Sequence, residues 1–115
     1  MDTEASSPEA RIRATAPIVT LINVFTVDPA SQDELVERWQ QATDDVMRHR
    51  PGFISASIHR SFDGTKVINY AQWESRDAFA AMFQDPQASA QLTRLAEIGT
   101  PDPVLCEVVS VHPSS

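Results

Sequence analysis

Two asparagines and a tryptophan interrupt otherwise apolar strand-like runs. Asn23 lies within Ile-Val-Thr-Leu-Ile-Asn-Val-Phe-Thr-Val (18–27), and Asn69 and Trp73 lie within Asn-Tyr-Ala-Gln-Trp-Glu-Ser (69–75). Side chains alternate along a strand. One face of the first run therefore reads Val19, Leu21, Asn23, Phe25, Val27, and one face of the second reads Val67, Asn69, Ala71, Trp73. A buried amide without a partner costs on the order of 1–3 kcal/mol, so two of them on apolar rows call for an explanation. The bland one is that each bonds a neighbour or a water. The sharper one is a site. Asn69 and Trp73 would stand roughly 13 Å apart along the strand, with only Ala71 between them on that face. A flat ring could lie over Ala71, touching an amide at one end and an indole at the other. Indole brings a broad apolar surface and one N–H donor.

Other candidates carry less. His59 is the one histidine inside a core strand, with its face undecided, and it is a candidate base. His49 follows Arg48 at a helix end, where a cation suits the dipole. His112 belongs to the tail. Trp39 falls in a helical apolar stripe and reads as core, Arg94 reads as a solvated surface residue, and Asp44-Asp45 as a solvated helix face. Cys106 cannot form an internal disulfide, because it is the single cysteine of the chain. It reads as a small strand hydrophobe, in keeping with a reducing compartment.

What is missing narrows the chemistry. All three glycines, Gly52, Gly64 and Gly99, fall at turns or helix ends, which leaves no phosphate cradle for a nucleotide or flavin. No histidine pair has ligand spacing and there is no cysteine pair, so no metal site is expected. The net charge of −7 sets aside nucleic acid and anionic membrane surfaces. No run approaches a membrane span. The acidic start of the chain has no apolar core of a secretory signal, and a cytoplasmic protein is expected.

The elements that must position these residues follow from periodicity and punctuation. At 115 residues the chain makes one domain. Residues 1–16 read as a disordered tail, 17–112 as the folded domain and 113–115 as a short C-terminal tail. A first strand spans 18–27 and stops at Asp28-Pro29. Ser31 and Glu34 form a capping box for a helix whose buried stripe is Leu35, Trp39, Ala42 and Val46, closed by Pro51-Gly52. Strands at 53–60 and 66–74 flank an Asp63-Gly64 turn. Ser75 caps a second helix with Phe79, Met82 and Phe83 inward; Asp85-Pro86 interrupts it. A further helical piece, about 87–97, carries Leu92 and Leu95 and is closed by Gly99. A last strand is expected over 104–111. The order β-α-β-β-α-β is the ferredoxin-like α+β pattern, with the first and third strands side by side at the centre. Helices cover one face only, yet both residue sets of the first and last strands are largely apolar, so a homodimer packed sheet to sheet is expected. A monomeric mass in dilute sedimentation runs would sink that expectation.

Taken together, Pro51-Gly52-Phe53, Asp63-Gly64-Thr65 and Asn69-Tyr70-Ala71-Gln72-Trp73-Glu74-Ser75 resemble the antibiotic biosynthesis monooxygenase family, over about residues 17–112. Within it the chain is most similar to the anthrone oxygenases of aromatic polyketide pathways. The resemblance implies a dimeric α+β barrel and a pocket between sheet and helices. It also implies oxidation of an electron-rich aromatic ring by O2 with no cofactor. It makes Asn69, Trp73 and Asn23 the catalytic residues, and places His59, Tyr70, Ala71, Phe79 and Phe83 in or beside the substrate pocket. Some members carry a tyrosine at the position of Phe79, and its absence removes one proton donor. Haem-degrading oxygenases of the same superfamily need a histidine about ten residues after the Trp. Here those positions read Phe83, Gln84 and Asp85, which argues against haem. The remaining alternatives are a quinol monooxygenase and a non-catalytic binder of a small ligand. The sequence names neither the natural substrate nor the group that takes the first proton.

Overall fold

Residues 7–14 and 17–115 are described by the computed structural model. β1 (Val19–Val27), β2 (Phe53–Arg60) and β3 (Lys66–Trp73) are joined in one sheet by β4 (Gly99–Thr100) and β5 (Pro103–Cys106). The helices are α1 (Gln32–Asp45), α2 (Arg76–Met82) and α3 (Pro86–Ile98). The sheet order is β2-β3-β1-β4, and β5 pairs with β1 along the same edge as β4. All pairings are antiparallel. This is the expected ferredoxin-like α+β arrangement, with β1 and β3 at the centre.

The expected apolar stripe of α1 does its work. Leu35, Trp39 and Ala42 are buried against Leu21, Phe25, Val67 and Ala71 of the sheet, with Leu95 of α3 closing the core. The start of α1 differs from expectation. Ser31 makes no side-chain cap bond. The chain enters through one 3₁₀ turn at Pro29–Ser31, capped by Asp28, whose carboxylate accepts the Ala30 N–H. Asp-Pro supplies both the cap and the fixed φ that a first helical residue wants. Gln32 then ties α1 to the β2–β3 hairpin, donating Nε2 to the carbonyls of Ser61 and Lys66. In that hairpin the Asp63 carboxylate accepts from the Thr65 N–H and from the Ser61 and Thr65 hydroxyls, which hold its pKa down at about 2.

Ser75 caps α2 as expected, accepting the Ala78 N–H, and Asp85 does the same for α3 through Ala88. Asp85 also receives Arg50 Nη1 at 2.7 Å, which fixes the α2–α3 joint to the chain before β2. Gly52 has φ +83°, and a Cβ there would overlap Ala78; only glycine fits both demands.

Two expectations are corrected. Gly99 is not a left-handed helix cap: it is extended (φ −141°) and begins β4. Its lack of a side chain lets β4 lie against Leu35 and the Thr26 carbonyl, which an added Cβ would meet at 3.0 and 3.1 Å. The last strand, expected over 104–111, ends at Cys106. Cys106 pairs with Thr20, β1 begins one residue earlier at Val19, and Pro17 has no N–H to extend the ladder. In that register Val19 is the one β1 residue left opposite Glu107, so no strand remains for residues 108–111 to pair with, and Val109 and Val111 stay exposed. Of the expected tail at 1–16, residues 1–6 and 15–16 lie outside the described residues; residues 7–14 carry no helix or strand.

Candidate active site

The β1–β3 register brings the site together. Asn23 stands directly opposite Asn69, Leu21 opposite Ala71 and Val19 opposite Trp73. On the other side of β3, Ile58 faces Asn69, Ala56 faces Ala71 and Phe53 faces Trp73. Residues opposite each other share a face, so these form one continuous floor beneath the helices. Phe53 reaches that floor because a bulge at Ile54 lets two residues of β2 oppose one of β3.

Above the floor lies a cavity of about 160 Å³. Its floor is Leu21, Asn23, Asn69, Ala71 and Trp73, and its roof comes from Trp39 and Thr43 of α1, Met47, Phe79 and Met82 of α2, and Leu92 of α3. Phe83 also lines it while half exposed, at the end of a run of edge-to-face rings from Phe53 through Trp73 and Phe79. A cavity near 150 Å³ holds a single benzene ring, so a polycyclic ligand would extend beyond this volume. No Asp, Glu, His, Lys, Arg, Cys or Tyr is among the lining residues.

The polar groups in this apolar chamber are specific. The Asn23 Oδ1 accepts the Asp102 N–H at 3.2 Å. Pro101 and Pro103 flank Asp102, and the side chain of Asn23 serves the backbone where β4 gives way to β5. That fixes the Asn23 amide with its Nδ2 unbonded. The Asn69 side chain makes no hydrogen bond to the protein, and its Oδ1 is buried without a partner. The indole Nε1 atoms of Trp73 and Trp39 are likewise buried and unpartnered. Buried polar groups are ordinarily bonded; here three orphaned atoms belong to residues of one cavity.

Of the residues expected in or near the site, Asn23, Asn69, Trp73, Ala71, Phe79 and Phe83 all line the cavity. His59 and Tyr70 do not. His59 stands opposite Ile68, and Tyr70 opposite Ile22 and Ser57, so both point to the helix-free face. Strand alternation forces this: each is the neighbour of a residue that faces the cavity. His59 is exposed there and Tyr70 half-buried. Residues that sequence reasoning missed are Thr43, Met47, Phe53 and Leu92, while Trp39 was read as core and turns out to line the cavity as well. The spacing Trp39–Thr43 would have placed the second beside the first on α1; Phe53 depends on a bulge that leaves no sequence mark. Among the described residues no group of three or more His, Cys, Asp or Glu is placed to hold a metal ion, and no helix is long and apolar enough to cross a membrane.

Residues 18–92 match the family model described as antibiotic biosynthesis monooxygenase. A curated relative, tetracenomycin-F1 monooxygenase of Streptomyces glaucescens, is 43% identical over 99 residues, covering 86% of this chain and 88% of its own. Among solved structures, a monooxygenase from the gene ActVA-Orf6 of Streptomyces coelicolor, in complex with nanaomycin D, superposes with a TM-score of 0.75 at 36% identity, covering 87% of this chain and 94% of that one. SnoaB of Streptomyces nogalater, a cofactor-independent oxygenase, gives 0.71 at 25% identity, covering 86% and 100%.

Proposed function

This chain belongs to the antibiotic biosynthesis monooxygenase family, and from that premise we propose that it oxidises an anthrone-like polycyclic phenol to a quinone with O2 and no cofactor. The observation that carries the reading is the pair of facing amides, Asn23 and Asn69, set with Trp73 in an apolar cavity that no ionisable side chain lines. Relatives support it: one is named for oxidation of tetracenomycin F1, one holds nanaomycin D, and one is a cofactor-independent oxygenase.

The chemistry needs little from the protein. An anthrone methylene loses one proton, and the resulting anion is delocalised onto the ring oxygen. The anion passes one electron to O2, giving a substrate radical and superoxide. These combine to a C–O–O bond, the peroxide takes up a proton, and loss of water leaves the new carbonyl. One substrate and one O2 become one quinone and one water.

Asn69 donates its unbonded Nδ2–H to the oxygen where charge builds, in a chamber with few other dipoles to compete. The Asn23 amide, held by Asp102, offers a second N–H directly beside it. Trp73 stacks on the ring and gives its free Nε1–H to the oxygen or the peroxide. Because no lining group ionises, the proton leaves to solvent, and His59, on the far side of the sheet, takes no part. A homodimer packed through the helix-free face, in the cytoplasm, belongs to the same proposal.

The test is air oxidation of dithranol, an anthrone, by metal-stripped protein, followed through quinone absorbance across pH. The expected result is acceleration over buffer, with an inflection that moves when an anthrone of different acidity is substituted. An inflection fixed between about pH 5 and 8 for every substrate would reveal a protein base instead. No acceleration at all would leave a binding protein without catalysis.

A further inference from the structure

We propose that Trp39 is a specificity-determining residue: its indole N–H binds an oxygen substituent at the end of the substrate remote from Trp73. The inference rests on the reading above that the cavity holds a flat aromatic ring. It follows from the order of groups along the floor. Trp73 stands at one end opposite Val19, then Ala71 opposite Leu21, then Asn69 opposite Asn23, then Val67 opposite Phe25. The Trp39 ring meets Phe25 edge to face, with centroids 5.7 Å apart. It therefore closes the cavity from α1 at the far end, beyond the amides. A polycyclic substrate, which needs more room than the 160 Å³ of this structure, would lie lengthwise, with Trp73 towards one end, the amides at its middle and Trp39 towards the other end.

Trp39 is 3% exposed, and its Nε1 is buried with no partner. A phenylalanine would fill the same apolar stripe and contact Phe25 without hiding a donor from water. The unpartnered donor is matched when a ligand brings an acceptor to it. Of the six buried unpartnered atoms among the described residues, Thr20 Oγ1 and Gln72 Nε2 lie on the opposite face of the sheet and Arg50 Nε at the α2–α3 joint, whereas Trp39 Nε1, Trp73 Nε1 and Asn69 Oδ1 belong to residues that line the one cavity. The chemical class this selects is a polycyclic aromatic bearing a hydroxyl, methoxyl or carbonyl oxygen on a terminal ring, in addition to the oxygen held by the amides.

The chain has two tryptophans, so its indole N–H spectrum has two signals, assigned with a Trp73→Phe variant. Two quinones that cannot turn over serve as probes: anthraquinone and 1,8-dihydroxyanthraquinone. The expected result is that the dihydroxy compound moves the Trp39 indole proton downfield and slows its exchange, while anthraquinone does not. Trp39→Phe should weaken binding of the dihydroxy compound by about five- to tenfold and leave that of anthraquinone unchanged. Equal weakening of both probes, no weakening of either, or an indole signal that ignores the hydroxyls overturns the inference. Wild-type protein that binds neither quinone overturns the ring-binding reading itself, and this inference with it. Should Trp39→Phe fail to fold, the wild-type indole shift decides alone.

Discussion

On the proposed mechanism, Asn69→Ala should lower kcat for an anthrone by about a hundredfold, the loss of roughly 3 kcal/mol of transition-state stabilisation that one preorganised donor provides. The loss falls on kcat more than on KM, because the donor meets charge that exists only once the proton has left. The variant is a clean one. The Asn69 side chain bonds no other protein group and its Oδ1 is already orphaned, so removal of the amide strands no partner and the fold should melt at or above the wild-type temperature. Asn23→Ala lacks that clarity, since it takes away the acceptor of the Asp102 N–H and loosens the β4–β5 step as well. Steady-state kinetics beside a thermal melt separate the two effects. A fully active Asn69→Ala protein would mean that the charge builds somewhere other than beside this amide.

Ala71→Leu should abolish ring binding and reduce kcat/KM more than a hundredfold. Ala71 is 2% exposed, at the middle of the floor between Leu21 and Ala56. The added carbons have only the cavity to enter. Filling a void of this kind costs the fold little and often stabilises it, so the variant should be at least as stable as the parent. Quinone titration followed by fluorescence, alongside a melt, reads both properties. Undiminished affinity in a folded Ala71→Leu protein would place the ring elsewhere than over Ala71.

The parts of the site that strand periodicity governs were legible in the sequence. Asn69, Ala71 and Trp73 share a face because a pleated strand repeats every two residues, and Asn23 joins them because its own row is equally apolar. That the two amides stand directly opposite was not legible, since register depends on hairpin geometry and on pairings distant in the chain. The side of His59 was lost for the same reason: the bulge at Ile54 shifts the phase of β2, and residues alone do not announce a bulge. Trp39 is core, as its stripe suggested, and it lines the cavity as well; the sequence could not show the second, because a core wall and a cavity wall look alike in a helical stripe. The strand expected to Val111 failed on a simpler count, since apolar alternation describes what a segment could pair with and β1 has only Val19 left beyond Thr20.

The facing amides also bear on how the protein comes to be active. In an antiparallel pair a slip of one residue turns every side chain of the strand to the other side of the sheet. Were β3 to slip by one against β1, Ile68, Tyr70 and Gln72 would enter the chamber and Asn69, Ala71 and Trp73 would leave it. The tyrosine ring and the glutamine would then take two neighbouring places among those of Asn69, Ala71 and Trp73, one of them always the place where the helices need Ala71, and the core could not close. The same alignment that sets the two amides face to face is thus the one the hydrophobic layer demands. Core and cavity are therefore one assembly event: a chain that has completed its core has, by that act, placed Asn23, Asn69 and Trp73 in one chamber, and a misaligned chain has neither.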